Sequence, residues 1–171
     1  MAKDEYTELL QQALVRETNK LFKGTWCIEG LEAKYEYGKD MPGTFHGLID
    51  IGISDSSKPD SILGIEIEHW SNPRQAQKNI NKHRLWAHNS SKRYCGLLHI
   101  LHENCHLDDD DILSMLDFAR QHQSRGLGFY YDYMFYRTRS RLAGTVAKEI
   151  VNSKEYRVRL YDLLKQVNIC E

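Results

Sequence analysis

Three carboxylates stand in two apolar segments at positions that strand geometry would bring together. Residues 45–54 and 61–70 both alternate. Ile49, Ile51 and Ile53 take one face of the first, and Leu63, Ile65 and Ile67 one face of the second. Successive side chains of a strand point to opposite faces. Asp50 therefore leaves the first strand with Leu48 and Gly52, while Glu66 and Glu68 leave the second with Gly64. If the strands pair through the loop at 55–60, Asp50, Glu66 and Glu68 meet on one sheet face. Carboxylates that close repel unless a positive charge sits among them. A hard cation such as Mg²⁺ takes one or two carboxylates and keeps several waters. Held there, it polarises a phosphodiester, generates hydroxide and stabilises the leaving oxygen. The plainer alternative is a solvated face of an antiparallel pair. The β-branched richness of both strands, which predicts cover on both faces, argues against it.

A helix is predicted directly after the second strand, with Asn72 as N-cap and Pro73 in its first position. Ala76, Ile80, His83 and Ala87 form its apolar stripe. Gln75, Gln77, Lys78 and Lys82 supply polar groups, and Lys78 and Lys82, four apart, share a face from which they could meet phosphates. His46, for a phosphate or water contact, and His69, for catalysis, flank the carboxylates as lesser candidates. The remaining elements must carry this site. Residues 4–22 read as a helix through Tyr6, Leu10, Ala13 and Leu21, with Glu17 inside that stripe. Residues 25–39 read as extended, 93–102 as a strand, 108–124 as a helix, and 127–136 as an aromatic strand with Phe129, Tyr131, Tyr133 and Phe135 on one face. Residues 145–167 read as helical with a break near Asn152-Ser153. The order predicts an α/β domain with a mixed central sheet flanked by helices.

Asp50, a spacer, Glu66-Ile67-Glu68 and a following helix resemble the PD-(D/E)XK nuclease superfamily, whose pattern is Asp, about ten to twenty residues, then acid-X-Lys. The helix, three strands, helix, strand order over roughly residues 4–102 resembles its restriction-endonuclease-like αβββαβ core. The usual Lys is Glu68 here, an acid variant found in some type II restriction endonucleases. The resemblance implies that Asp50 and Glu66 hold Mg²⁺, with Mn²⁺ as a substitute, that the Ile67 carbonyl adds a ligand, and that Glu68 positions or deprotonates the attacking water. It also implies that Glu17 on the first helix reaches the metal, with Glu5 and Glu8 as further candidates. Lys78 or Lys82 would supply the missing positive charge. The activity implied is metal-dependent hydrolysis of DNA phosphodiester bonds, restriction-type or in a related phage or defence nuclease. The alternative is an inactive nuclease fold that binds nucleic acid or serves assembly, supported by the missing Lys.

Composition bounds these readings. The 171 residues are 41% hydrophobic and 27% charged, the profile of one globular domain over 1–171. With 23 basic and 24 acidic residues, the net charge is −1, which argues against a protein that coats nucleic acid. The charge is uneven. The segment at 137–171 is basic and helical, and over 137–160 seven basic residues face two acidic ones. Arg137, Arg139 and Arg141 are its candidate DNA-binding residues. No apolar run is long enough for a membrane span, and the first eight residues lack the apolar stretch of a signal peptide, so a cytoplasmic protein is expected. A homodimer is expected too, with Leu160, Leu163, Leu164 and Val167 as its interface. Two weaker patterns compete. Cys95, His99, His102, Cys105 and His106 would suit zinc only on a helix. Asp108–Asp111 could suggest calcium, but suits a capped helix start better.

Overall fold

Alternation in the isoleucine-rich segments builds the middle of a five-stranded sheet. The computed structural model describes residues 5–37, 48–68, 72–121 and 128–171. In chain order these form α1 (Glu5–Lys23), β1 (Leu31–Tyr37), β2 (Ile49–Asp55), β3 (Ser61–Glu68), α2 (Pro73–Asn89), β4 (Tyr94–His102), α3 (Asp109–Gln121), β5 (Gly128–Tyr136), α4 (Ala143–Asn152) and α5 (Lys154–Gln166). The strands lie in the order β1-β2-β3-β4-β5. β1–β2 and β2–β3 are antiparallel; β3–β4 and β4–β5 are parallel. The sheet is therefore mixed, as expected. β3 is central, which explains a strand buried along nearly its whole length.

Helices cover both faces. Leu10, Leu14 and Phe22 of α1 pack with Ile150 of α4 and Leu160 and Leu164 of α5 on Ile51, Ile53, Leu63, Ile65 and Ile100. On the opposite face Ile80, Trp86 and Ala87 of α2 and Ala119 of α3 pack on Ile62, Cys95, Leu97 and Phe129. This division places Asp50, Glu66 and Glu68 beneath α2. Its start follows the predicted chemistry: Asn72 accepts a hydrogen bond from Gln75 N at 3.0 Å, and Pro73 opens the helix. The break between α4 and α5 falls at Ser153, whose hydroxyl caps α5 by accepting from Tyr156 N at 3.1 Å.

Three expectations change, and the strand Tyr94–His102 settles a fourth point. Trp26 and Ile28 precede β1 in a turn that wraps back on α1 through Trp26 N to Leu21 O and Ile28 N to Phe22 O. Ile49 joins the cluster under α2 rather than that of Ile51 and Ile53, because β2 has already left its ladder with β3, which ends at Ile51–Ile65. Leu160, Leu163, Leu164 and Val167 are buried within the chain's own core. They close α5 onto the sheet and are not available as a dimer interface. Residues 94–102 form a strand, so the helical face that would gather Cys95, His99, His102 and His106 does not exist. Among the described residues no group of three His, Cys, Asp or Glu is arranged for a metal. Asp108 and Asp111 cap α3 reciprocally, each accepting from the other's backbone N–H. His46, His69 and the expected strand start at 45–47 lie outside the described residues. Among the described residues, no helix is long and apolar enough to cross a membrane.

Candidate active site

β2 and β3 diverge just beyond Ile51–Ile65, and a side chain takes the place of the next rung. Asp50 Oδ2 accepts from Ile67 N at 3.0 Å. The N–H and C=O of one strand residue point to the same side, so the Ile67 carbonyl faces this gap as well. Glu66 stands beside Asp50 with its carboxyl within hydrogen-bonding reach. Asp50 is 6% exposed and Glu66 3%. Two buried carboxylates in contact call for a proton or a cation between them.

α2 supplies one cation. Asn79, Lys82 and Trp86 follow one line of the helix at i, i+3 and i+7, and Asn79 and Trp86 are buried. Lys82 Nζ lies 2.5 Å from Glu66 Oε1 and donates to Leu48 O at 2.6 Å. Asn79 donates to Glu68 Oε1. Lys82 therefore stands where the acid variant leaves Glu68 without a Lys neighbour. Lys78 stays exposed. Gln75 turns along the helix toward Asn79, at 3.4 Å. The Glu66 carboxyl is held well above the usual carboxylate range, first by burial and then by Asp50, with Lys82 opposing. Glu68 is pushed up to about 7 by burial and Asp50, against Asn79 and Lys82.

Gly64 makes the close approach of α2 possible. A Cβ there would stand 2.7 Å from Cε1 of His83, whose ring is fully buried, stacked on Trp86 and tilted against Phe129. The ring cannot give way cheaply. Gly64→Ala is expected to cost about 1–3 kcal/mol, the range for overpacking a filled core, read as a lowered urea midpoint. The double variant Gly64→Ala, His83→Ser should lose less than the sum of the two single changes, since the smaller side chain vacates the clash. Full additivity would show that the close approach costs nothing.

The first helix contributes differently from expectation. Glu17 pairs with Lys20 at 2.8 Å and is not among the charges acting on Glu66 or Glu68. The physical reason is the sheet: α1 packs on the face opposite to Asp50 and Glu66. Among the α1 carboxylates, Glu8 shares a neighbour with Asp50. The Tyr35 phenol, pushed up to about 12 by burial and then by Glu36, feels both Glu8 and Asp50.

Parallel pairing aligns the C-terminal ends of β3, β4 and β5. Glu68 is level with Leu101, and Leu101 with Phe135. Arg137, Arg139 and Arg141 thus follow β5 on the edge where the carboxylates lie, about two strand spacings, roughly 10 Å, to the side. All three are exposed, and Arg137 pairs with Glu103. Ligands of open α/β sheets bind outside such carboxyl ends.

His99 and Tyr131 join the site without having been singled out for it. His99 is the register partner of Glu66 on β4, and its Nδ1 lies 2.6 Å from Tyr131 OH. Burial lowers His99 and His83 to about 3, so both rings are neutral. A polar residue inside a buried stripe was the available signal for Asn79. For His99 and Tyr131 no such signal exists without the strand order.

The donor set fits a hard divalent cation. Asp50, Glu66 and the Ile67 carbonyl are oxygen ligands, and Mg²⁺ needs only one or two carboxylates beside waters. Glu66 Oε1 is paired with Lys82 Nζ at 2.5 Å, so a metal there would share the carboxylate with that ammonium. Comparison with protein-family models, curated proteins and solved structures returned no match.

Proposed function

We propose that the chain is a Mg²⁺-dependent endonuclease that hydrolyses DNA phosphodiester bonds, of the restriction type or a related defence nuclease. The observation that carries this reading is the buried Asp50–Glu66 pair with Lys82 Nζ 2.5 Å from Glu66. A purely structural core gains little from burying two carboxylates against one ammonium. A site that must gather a metal and an anionic substrate needs such an arrangement.

Asp50, Glu66 and the Ile67 carbonyl would hold the metal, which supplies a polarised phosphoryl oxygen and a lowered pKa for bound water. Lys82 opposes the burial that raises the Glu66 carboxyl, favouring its ionised form, and adds positive charge toward the scissile phosphate. Glu68, held by Asn79 at the rim of the site, orients the attacking water and accepts its proton. Arg137, Arg139 and Arg141 draw the flanking phosphates to the same edge of the sheet. Gln75 and Lys78, in the first two turns of α2, would meet phosphates of the bound DNA. Cutting both strands calls for two such sites, and a homodimer would provide them.

The test is cleavage of mixed plasmid and phage DNA with Mg²⁺, with Mn²⁺ and with EDTA. Wild type is expected to give discrete bands with either metal and none with EDTA. Glu66→Ala should lower the rate by roughly 10²–10⁴-fold. Random degradation with the same dependence keeps the nuclease and removes the restriction reading. Metal-independent DNA binding with no cutting under any condition favours the inactive binding module instead.

A further inference from the structure

On the sheet face beneath α2, buried His99 Nε2 has no hydrogen-bond partner among the described residues, while Glu66 Oε1 is paired with Lys82 Nζ at 2.5 Å. His99 and Glu66 are register partners on adjacent parallel strands. Side chains of such a pair leave the sheet on the same face, from strands about 4.8 Å apart. The Glu66 oxygen is an acceptor. The character of Nε2 depends on which ring nitrogen of His99 carries the proton.

Tyr131 decides that. Its hydroxyl lies 2.6 Å from His99 Nδ1. A buried O–H needs an acceptor, and among the described residues Nδ1 is the one that meets it. Tyr131 O–H therefore donates to Nδ1. The neutral ring then carries its proton on Nε2. Among the described residues Nε2–H is a buried donor without a partner, and the Glu66 carboxylate, which pairs with Lys82 through one oxygen, is the acceptor on its register partner. Lys82 and His83 act on the same ring, so it lies within the site's own electrostatic environment. The ring is also fixed in direction by an edge-on contact with Tyr131 at 5.3 Å.

We propose that Tyr131 and His99 form a positioning relay for Glu66, in which Tyr131 O–H donates to His99 Nδ1 and His99 Nε2–H holds the Glu66 carboxylate, directly or through one buried water. The inference rests on the nuclease reading for what Glu66 does. It does not rest on that reading for the hydrogen bonds themselves. Carboxylates that ligate metals are commonly oriented by a second group, and loss of that group costs about 10–100-fold in metal affinity. His99 and Tyr131 are thus positioning residues that act through Glu66.

The first measurement is the side-chain ¹⁵N spectrum of metal-free wild type. The expected result is a single His99 tautomer with the proton on Nε2, and loss of that fixed tautomer in Tyr131→Phe. A proton on Nδ1 overturns the proposal. The second is Mn²⁺ affinity. Tyr131→Phe and His99→Ala should each weaken it by about 10–100-fold. His99→Gln, which retains an N–H donor, should recover some of the loss. Unchanged affinity in both Tyr131→Phe and His99→Ala overturns the relay. If wild type binds no Mn²⁺, the nuclease reading fails separately, and the Glu66 carboxyl ¹³C resonance decides. It should shift in Tyr131→Phe, and an unmoved resonance refutes the proposal.

Discussion

Lys82→Met is expected to reduce DNA cleavage by roughly 10²–10⁴-fold and to destabilise the protein by about 3–5 kcal/mol, the cost of stripping one partner from a buried ion pair. Lys82 is 18% exposed at its side chain and Glu66 4%, so water screens little of the loss. Without the ammonium, Glu66 is left against Asp50 with burial already opposing its charge. The added change Glu66→Gln should restore most of the stability, because a neutral amide removes the uncompensated charge. It should restore none of the activity. Lys78→Met, one turn earlier and exposed, should stay within about 0.5 kcal/mol of wild type. Urea melts and cleavage rates on the same preparations check all four proteins. A Lys82→Met protein that cuts at the wild-type rate removes Lys82 from the mechanism. Stability without activity in the double variant separates catalysis from folding, which neither single change can do.

The contrast between Lys82 and Lys78 marks how far the sequence was legible. The order of helices and strands was legible, and periodicity marked α1, β2, β3, α2 and β5, because apolar spacing of 3.6 or 2 is what burial on one face requires; β1 read only as an extended stretch. The meeting of Asp50, Glu66 and Glu68 followed as well, since alternation places them on one face once β2 and β3 pair. Which lysine reaches Glu66 did not follow. Spacing of four puts both on one helix face, but the rotation of α2 on the sheet is set by His83 seated on Gly64, a contact between elements. Glu17 was misleading for the same reason. A carboxylate inside an apolar stripe marks a boundary of burial, and the sheet lies between α1 and the site. His99 and Tyr131 were out of reach altogether. Their contact spans 32 residues and depends on the parallel order β3-β4-β5, which sequence pattern leaves undetermined.

Three buried groups and the half-buried Glu68 also set how stability depends on pH, and the result tests the carboxylate site from a different side. His83 and His99 titrate near 6.5 when unfolded and near 3 when folded. The unfolded chain holds the extra protons between those values, so this contribution is complete above pH 6.5 and is lost as pH falls. Glu66 and Glu68 run the other way. Their folded values lie above the ordinary 4.5, with Glu68 at about 7, so stability from these groups is complete below pH 4.5 and declines as pH rises. Between about 4.5 and 6.5 the two effects oppose, and metal-free stability should be nearly flat. Below 4.5 the histidines act alone, and stability should fall by about 2.7 kcal/mol per pH unit. His99→Gln should halve that slope. Above 6.5 the carboxylates act alone, and stability should fall again. Mg²⁺ binds the ionised carboxylates of the folded state, so it should raise the melting temperature at pH 8 and leave it unchanged at pH 5. Melting curves at those two pH values, with and without Mg²⁺, suffice. An equal shift at both would place the metal away from Asp50 and Glu66, and no shift at either would leave the buried pair without the cation that its geometry calls for.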